Sequence, residues 1–175
     1  MRLRLQKPSL ADKDKICKML EEWRRDIEIN KTDGSPRAIF KNDCQDFQNY
    51  IDGLEDKKDP SKGKVAAITL FAYDDEIEDY VGAVNIRLEL NEYLLDFGGH
   101  IGDGIRPSQR RKGYATEMIG LALKECRSRG IDRVLMTCYK DNVGSARSIM
   151  NNGGVLENEV DHDGKIMQRY WIDLL

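Results

Sequence analysis

With 175 residues, the chain has the length of one domain with a sizeable core. Charged residues make up 34% and hydrophobic residues 40%, with the signs interspersed, which argues against a disordered or membrane-embedded chain. The formal net charge of −3 speaks against general nucleic-acid binding, whose phosphate contacts need a net basic face.

Arg2 to Gln6 alternates charge with leucine, the pattern of a short strand. Ile16, Met19, Leu20, Trp23 and Ile27 share one helical face, and Ser9 or Asp12 is a candidate cap for that helix. NKTDGSP, 30 to 36, reads as a polar loop. Phe40, Phe47, Tyr50, Ile51 and Leu54 predict a second amphipathic helix, closed by KKDPSKGK. Val65 to Tyr73 is β-rich and runs into the acidic turn DDEIED. Val84, Ile86, Leu88 and Leu90 then alternate with Asn85, Arg87 and Glu89, predicting a strand with one core face and one polar face, hairpinned to its predecessor.

NEYLLDFGG holds a candidate short helix, and HIGDGIRP extends until Pro107 ends the strand. Ala115, Met118, Ile119, Ala122, Leu123 and Cys126 carry the spacing of a helix with one buried face, and Gly130 fits its C′ position. RVLMTCY, 133 to 139, is a buried strand, followed by a short helix from Val143 to Asn152 and two strands joined at Asp163–Gly164. Strand, helix and strand across 100 to 139 predict a parallel pair joined by a crossover helix, while the hairpins are antiparallel. The expected fold is α/β of the α+β kind, a mixed and mostly antiparallel central sheet flanked by helices, in one domain over 1–175.

No apolar run approaches bilayer length, and MRLRLQKPSL has no apolar leader core. Cys17, Cys44, Cys126 and Cys138 form no C-x-x-C pair, so buried free thiols and a cytoplasmic location without membrane contact are expected. His100 and His162 stand at no metal-ligand spacing with a cysteine, and no metal is expected.

The turn QRRKGYATE, 109 to 117, carries the chemistry. A helix starting near Ala115 leaves its first N–H groups without acceptors. Gly113 permits a sharp turn and a close ligand approach, Thr116 adds a hydroxyl, and Arg110, Arg111 and Lys112 add positive charge. Cations at that end of a helix cost up to ~1 kcal/mol each unless an anion binds. The turn therefore reads as a site for a phosphate-bearing ligand, a pyrophosphate in particular, against the plainer reading of a solvated corner. GxxxxGK[ST] and GxGxxG are both absent.

IRPSQRRKGYATEMIGLALKEC resembles the coenzyme A-binding signature of the GNAT acetyltransferases, a strand ending in V/I-x-P and then R/Q-x-x-G-x-G/A opening a helix. Ile105 and Pro107 match the strand end, and Arg110, Gly113 and Ala115 match the loop. DNVGSARSIMNNGG resembles the family's asparagine-led helix that closes on a glycine. The resemblance implies an acetyl-CoA-dependent N-acetyltransferase acting directly on an amine of a small molecule or peptide. It implies that the amides of Arg111, Lys112, Gly113, Tyr114, Ala115 and Thr116, with the Arg110 side chain, bind the pyrophosphate. Ile105 would pair with the pantetheine where its strand splays from the one carrying Tyr139. Asn142 and Ser145 would face the pantetheine arm, with Arg147 nearer the nucleotide, although Asn142 also fits as a helix cap.

For the base, the candidates on the strand before Pro107 are His100 and Asp103. The family's frequent tyrosine, seven positions after the asparagine, is replaced by Ile149, which leaves Tyr139 or a water as the acid. Cys138 raises an acetyl-cysteine route, but no histidine stands near it in sequence to activate it. Asp33, Glu92 and Asp96 are candidates to attract a cationic acceptor. Dimerisation is common among similar proteins, and no stretch here specifies an interface. A catalytically silent coenzyme A-binding sensor or interaction module, and an anion-binding domain unrelated to coenzyme A, are the alternatives.

Overall fold

The computed structural model describes residues 3–174, so Arg2 of the first predicted strand lies outside the described residues. Leu3–Gln6 forms β1. Ser9 opens the next turn, its N–H and hydroxyl both donating to the Asp12 carboxylate at 2.7 and 2.8 Å. Asp12 then occupies the cap position of α1, Lys13–Asn30, which buries Ile16, Met19, Leu20 and Trp23. The Asp12 carboxylate is turned back to Ser9 and makes no cap bond to α1.

The single helix expected over 40 to 54 is instead two pieces: a helical turn at Arg37–Phe40, and α2 at Phe47–Asp52. Asp46 caps α2 by accepting the Asn49 N–H, and Gly53 closes it after six residues. The apolar spacing was satisfied by separate turns packing on one core rather than by one helical face. A two-residue strand, β2 at Glu55–Asp56, follows.

β3, Ala67–Asp74, and β4, Asp79–Arg87, form the expected antiparallel hairpin. β4 is buried along both faces, not one. Asn85, expected on a polar face, is 5% exposed and donates to Thr69 Oγ1 at 3.1 Å, which makes its burial tolerable. After a helical turn at Leu94–Gly98 come β5, Ile101–Ile105, and α3, Tyr114–Ser128. The chain ends with β6, Arg133–Tyr139, α4, Val143–Asn151, and the hairpin of β7, Val155–His162, with β8, Lys165–Asp173. Asp163 and Gly164, both at positive φ, make the hairpin turn.

The strands form two sheets. One runs β1-β3-β4-β5, with β2 on β3, and the other β6-β8-β7, every ladder antiparallel. The expected parallel partners β5 and β6 form no ladder; a backbone bond from His100 N to Leu135 O, 2.7 Å, joins the chain just before β5 to β6. Beyond it the two strands are free to part. One core packs α3 and the second sheet against Val84, Ile86, Ile101 and Ile105, and the other packs α1 and α2 against Phe71, Tyr80 and Ala83. Each fully buried aliphatic side chain there contributes about 1.5–3 kcal/mol.

Candidate active site

The strand register decides which way β5 points its backbone. Arg87 N donates to His100 O and Arg106 N donates to Val81 O. In the antiparallel register of Gly82 with Ile105 and Val84 with Asp103, the bonded pairs are therefore the alternate ones. Asp103 and Ile105 turn their N–H and C=O groups away from β4, toward the opening between the sheets.

A cavity of about 570 Å³ occupies that opening. At one end it is walled by the turn before α3 and the start of α4, and at the other by Trp23, Asp33 and Ser35, with Asp103, Gly104 and Ile105 also in the wall. Arg111 and Gly113 take positive φ, 63° and 83°. A Cβ added at Gly113 would meet nothing within 4 Å, so the glycine is there for its backbone conformation and leaves space in front of it. The first intrahelical bond of α3 is Glu117 N to Gly113 O, 3.4 Å. The amides of Tyr114, Ala115 and Thr116 precede it and have no acceptor within the helix.

α4 begins beside them. Asn142 caps it, its Oδ1 accepting the Ser145 N–H at 3.1 Å, and both residues line the cavity. Asn152, which sequence reasoning missed, ties the two helices by donating to Thr116 O at 3.0 Å and Ser148 O at 2.8 Å. Thr116 Oγ1 also reaches Ser148 Oγ at 3.3 Å. These bonds hold the start of α3 against the C-terminal half of α4, while the start of α4 lines the same cavity.

Arg110 and Arg111 both line the cavity, and each basic side chain has its own surroundings. Arg110 pairs with Asp26 of α1 at 2.8 Å, and its Nε donates to Ile105 O at 3.3 Å, so it braces the turn against α1. Asp26 also accepts from Asn30 and Thr32, and these bonds, together with Arg110, hold its carboxyl below the ordinary value despite burial. Lys112 Nζ donates to Gln109 Oε1 at 2.8 Å, and Arg111 lines the cavity. Tyr114 buries its ring and bonds the Asp74 carboxylate, leaving its amide as its contribution to the turn. Arg147 is exposed on α4 and is not part of the cavity wall.

Of the candidate acids and bases, Asp103 alone lines the cavity. Burial pushes its carboxyl up to about 6, reinforced by Asp33 and opposed by Arg87. His100 is 7% exposed, and its Nδ1 accepts the Leu135 N–H at 2.9 Å. Burial, with Arg87 adding, lowers its pKa to about 4. It is a neutral strut between β5 and β6. Tyr139 bonds His162 Nδ1 at 2.9 Å and is not in the cavity wall, and burial raises its pKa. Cys138 is buried and pushed up to about 11, mainly by desolvation, which suppresses the thiolate that an acetyl-cysteine route needs. Asp33 lines the cavity, and Glu92 and Asp96 do not. The four cysteines are free, three of them buried and Cys17 half-buried. No helix among the described residues is long and apolar enough to cross a membrane.

Two sheets part over a glycine-turned helix start, with the start of α4 in the same cavity wall, an arrangement consistent with the resemblance carried by the sequence. Residues 2–155 match the family model of the acetyltransferase (GNAT) domain, and the chain belongs to that family. No curated protein sequence matches it. Among solved structures it is similar to the microcin self-immunity acetyltransferase MccE in complex with acetyl-CoA and AMP, at 19% identity, TM-score 0.67, covering 98% of this chain and 92% of that one. It is similar to the ribosomal α-N-protein acetyltransferase RimL in complex with coenzyme A, at 14% identity, TM-score 0.66, covering 99% and 95%. A GNAT-family acetyltransferase from Bacillus anthracis aligns at 18% identity, TM-score 0.63, covering 99% and 96%. At these identities the likeness is one of fold.

Proposed function

We propose that the protein transfers an acetyl group from acetyl-CoA directly to a primary amine of a small molecule or peptide. The observation that carries this reading is a single cavity whose wall runs from the first-turn backbone of α3 to the Asp103 carboxyl, which burial raises to about 6. The residues present fit the coenzyme: open space in front of Gly113, amides of Tyr114 to Thr116 for an anion, and β5 backbone groups turned from β4 for an extended arm. When bound there, acetyl-CoA supplies the activated acetyl thioester.

The chain's own groups then divide the work. Asp103, ionised above about pH 6, takes the proton of the incoming ammonium directly or through a water. The Ile105 N–H, turned into the opening, stands ready for a developing oxyanion. Asp103 gives that proton to the leaving thiolate as the C–S bond breaks, and the second proton lost by the nitrogen passes to water, so a tyrosine at position 149 is dispensable. His100 and Tyr139, each bonded outside the cavity, stay out of this proton path.

Calorimetric titration with acetyl-CoA, on the wild type and on Gly113→Trp, tests the coenzyme site. Release of free thiol across a panel of amines tests transfer. Micromolar binding lost in the variant supports the reading, and absence of binding to the wild type would sink it.

A further inference from the structure

Two side chains fasten the first turn of α3 to one spot on the first sheet. Tyr114 opens the helix with its ring 4% exposed, and its hydroxyl donates to Asp74 Oδ2. Asp74 closes β3 and is fully buried, and its other oxygen accepts the Glu76 N–H of the hairpin turn at 2.8 Å. Three residues into the helix, Glu117 Oε1 accepts the Leu3 N–H of β1 at 3.0 Å. Leu3 and Asp74 face each other in the β1–β3 register, so both bonds end on one cross-strand pair. Residues i and i+3 share one side of a helix, and two bonds from that side fix where the turn sits and how it is tilted.

Position and tilt are what aim the amides. The N–H groups of Tyr114, Ala115 and Thr116 point out of the helix end, so a slide or tilt of the first turn redirects all three. The residue before them supplies no anchor: Gly113 is conformationally free, and a Cβ there would meet nothing within 4 Å. A phenylalanine facing an apolar side chain would fill the core at Tyr114 without burying a carboxylate. A buried and bonded polar pair instead specifies one arrangement.

We infer that Tyr114 and Asp74 are positioning residues, their buried bond holding the α3 amides in the aim that an incoming anion meets. That this anion is the pyrophosphate of acetyl-CoA rests on the proposed acetyltransferase reading. On the sequence alone Asp74 is one acid of an acidic turn, 40 residues from the tyrosine that it holds.

Tyr114→Phe keeps the ring and removes the bond. The calorimetric Kd for acetyl-CoA should rise about tenfold. Hydrogen exchange at the Glu117 N–H, which makes the first intrahelical bond, should quicken about tenfold through local opening. Asp74→Ala removes the other partner, and the double variant should bind within about twofold of Asp74→Ala because both changes delete one bond. Ile172→Val, a trimmed core side chain in β8, lowers the melting temperature without altering the turn. Its acetyl-CoA affinity and Glu117 exchange should stay within about twofold of wild type, which separates aim from general stability. Unchanged affinity in Tyr114→Phe, losses that multiply in the double variant, or an equal loss in Ile172→Val would overturn the inference. Should Asp74→Ala lose its fold, Tyr114→Phe against Ile172→Val still decides. If acetyl-CoA fails to bind the wild type, the acetyltransferase reading falls, and Glu117 exchange alone decides whether the bond holds the turn: a rate unchanged in Tyr114→Phe overturns it.

Discussion

The two ends of the cavity are made of different material. At the α3 end the groups proposed to face a ligand are backbone amides from consecutive residues, set by positive φ at Arg111 and Gly113. At the other end the wall holds side chains, Trp23, Asp33 and Asp103, brought together from α1, the following loop and β5. An amide has no proton to lose near neutrality, whereas a carboxyl near 6 changes charge within the working range. One end is a conformational device and breaks when φ is changed. The other is electrostatic, and a substitution that leaves the fold alone can disable it.

The largest effect is expected from Asp103→Asn, which is nearly isosteric and removes the proposed base. kcat should fall about 10²–10⁴-fold while acetyl-CoA affinity by calorimetry stays unchanged. A kcat within about threefold of wild type would show that another group takes the proton. Gly113→Trp should act at the opposite end. A non-glycine residue at φ 83° costs about 1–2 kcal/mol of stability, and open space around the position lets the fold stand. Acetyl-CoA affinity should drop about 100-fold, equivalent to about 2.7 kcal/mol, because the indole covers the amides.

The difference in material also explains what the sequence revealed. The α3 end is legible because its residues are consecutive, and a glycine before a helix start has local meaning. The β7–β8 turn at Asp163–Gly164 is legible for the same reason. Arg110 is the exception within that turn, since its partner Asp26 belongs to a distant helix and nothing local announces the pair. His100 was a reasonable base by intrinsic pKa, and only the fold reveals Leu135 N–H on its Nδ1. The helix expected over 40 to 54 failed because apolar spacing does not encode where a cap interrupts it, here at Asp46. Asn85 looked like one polar position of an alternating strand until burial on both faces of β4 gave it Thr69 as a partner. The acceptor end was least legible: its wall draws on α1, the loop after it and β5, which no local pattern joins.

Two titrations with opposite sign should separate the cavity carboxyl from the histidine strut outside it. Asp103 is raised from 3.8 to about 6, so the native state holds its proton more tightly than the unfolded chain. Its contribution is fully present below about pH 4 and lost as pH rises through about 6. Asp103→Asn should therefore melt above the wild type at pH 8, with the gap closing below about pH 4. His100 is lowered from 6.5 to about 4, so its contribution is present above 6.5 and lost as pH falls through about 4. Thermal melts of His100→Asn across pH 8 to 4 should lose that acid-side slope even though some β5–β6 packing is lost at every pH. On the activity side, kcat/KM should rise with pH through about 6 as the Asp103 carboxylate forms.

The smallest effect, and the sharpest test of the contrast, belongs to Arg110→Met. The Arg110 side chain is 35% exposed and its partner Asp26 is 14% exposed, so the pair sits between a surface and a buried bridge. Such a pair contributes roughly 0.2–1 kcal/mol. Asp26 keeps Asn30 and Thr32 as donors in the variant, so no bare carboxylate is stranded. The melting temperature should fall slightly, and acetyl-CoA affinity should change by less than about threefold because the amides remain in place. A loss of affinity as deep as that of Gly113→Trp would mean that Arg110 leaves Asp26 for the ligand. The α3 end would then owe its grip to a side chain as much as to backbone, and the α1 end of the Arg110–Asp26 pair would be released whenever the coenzyme binds.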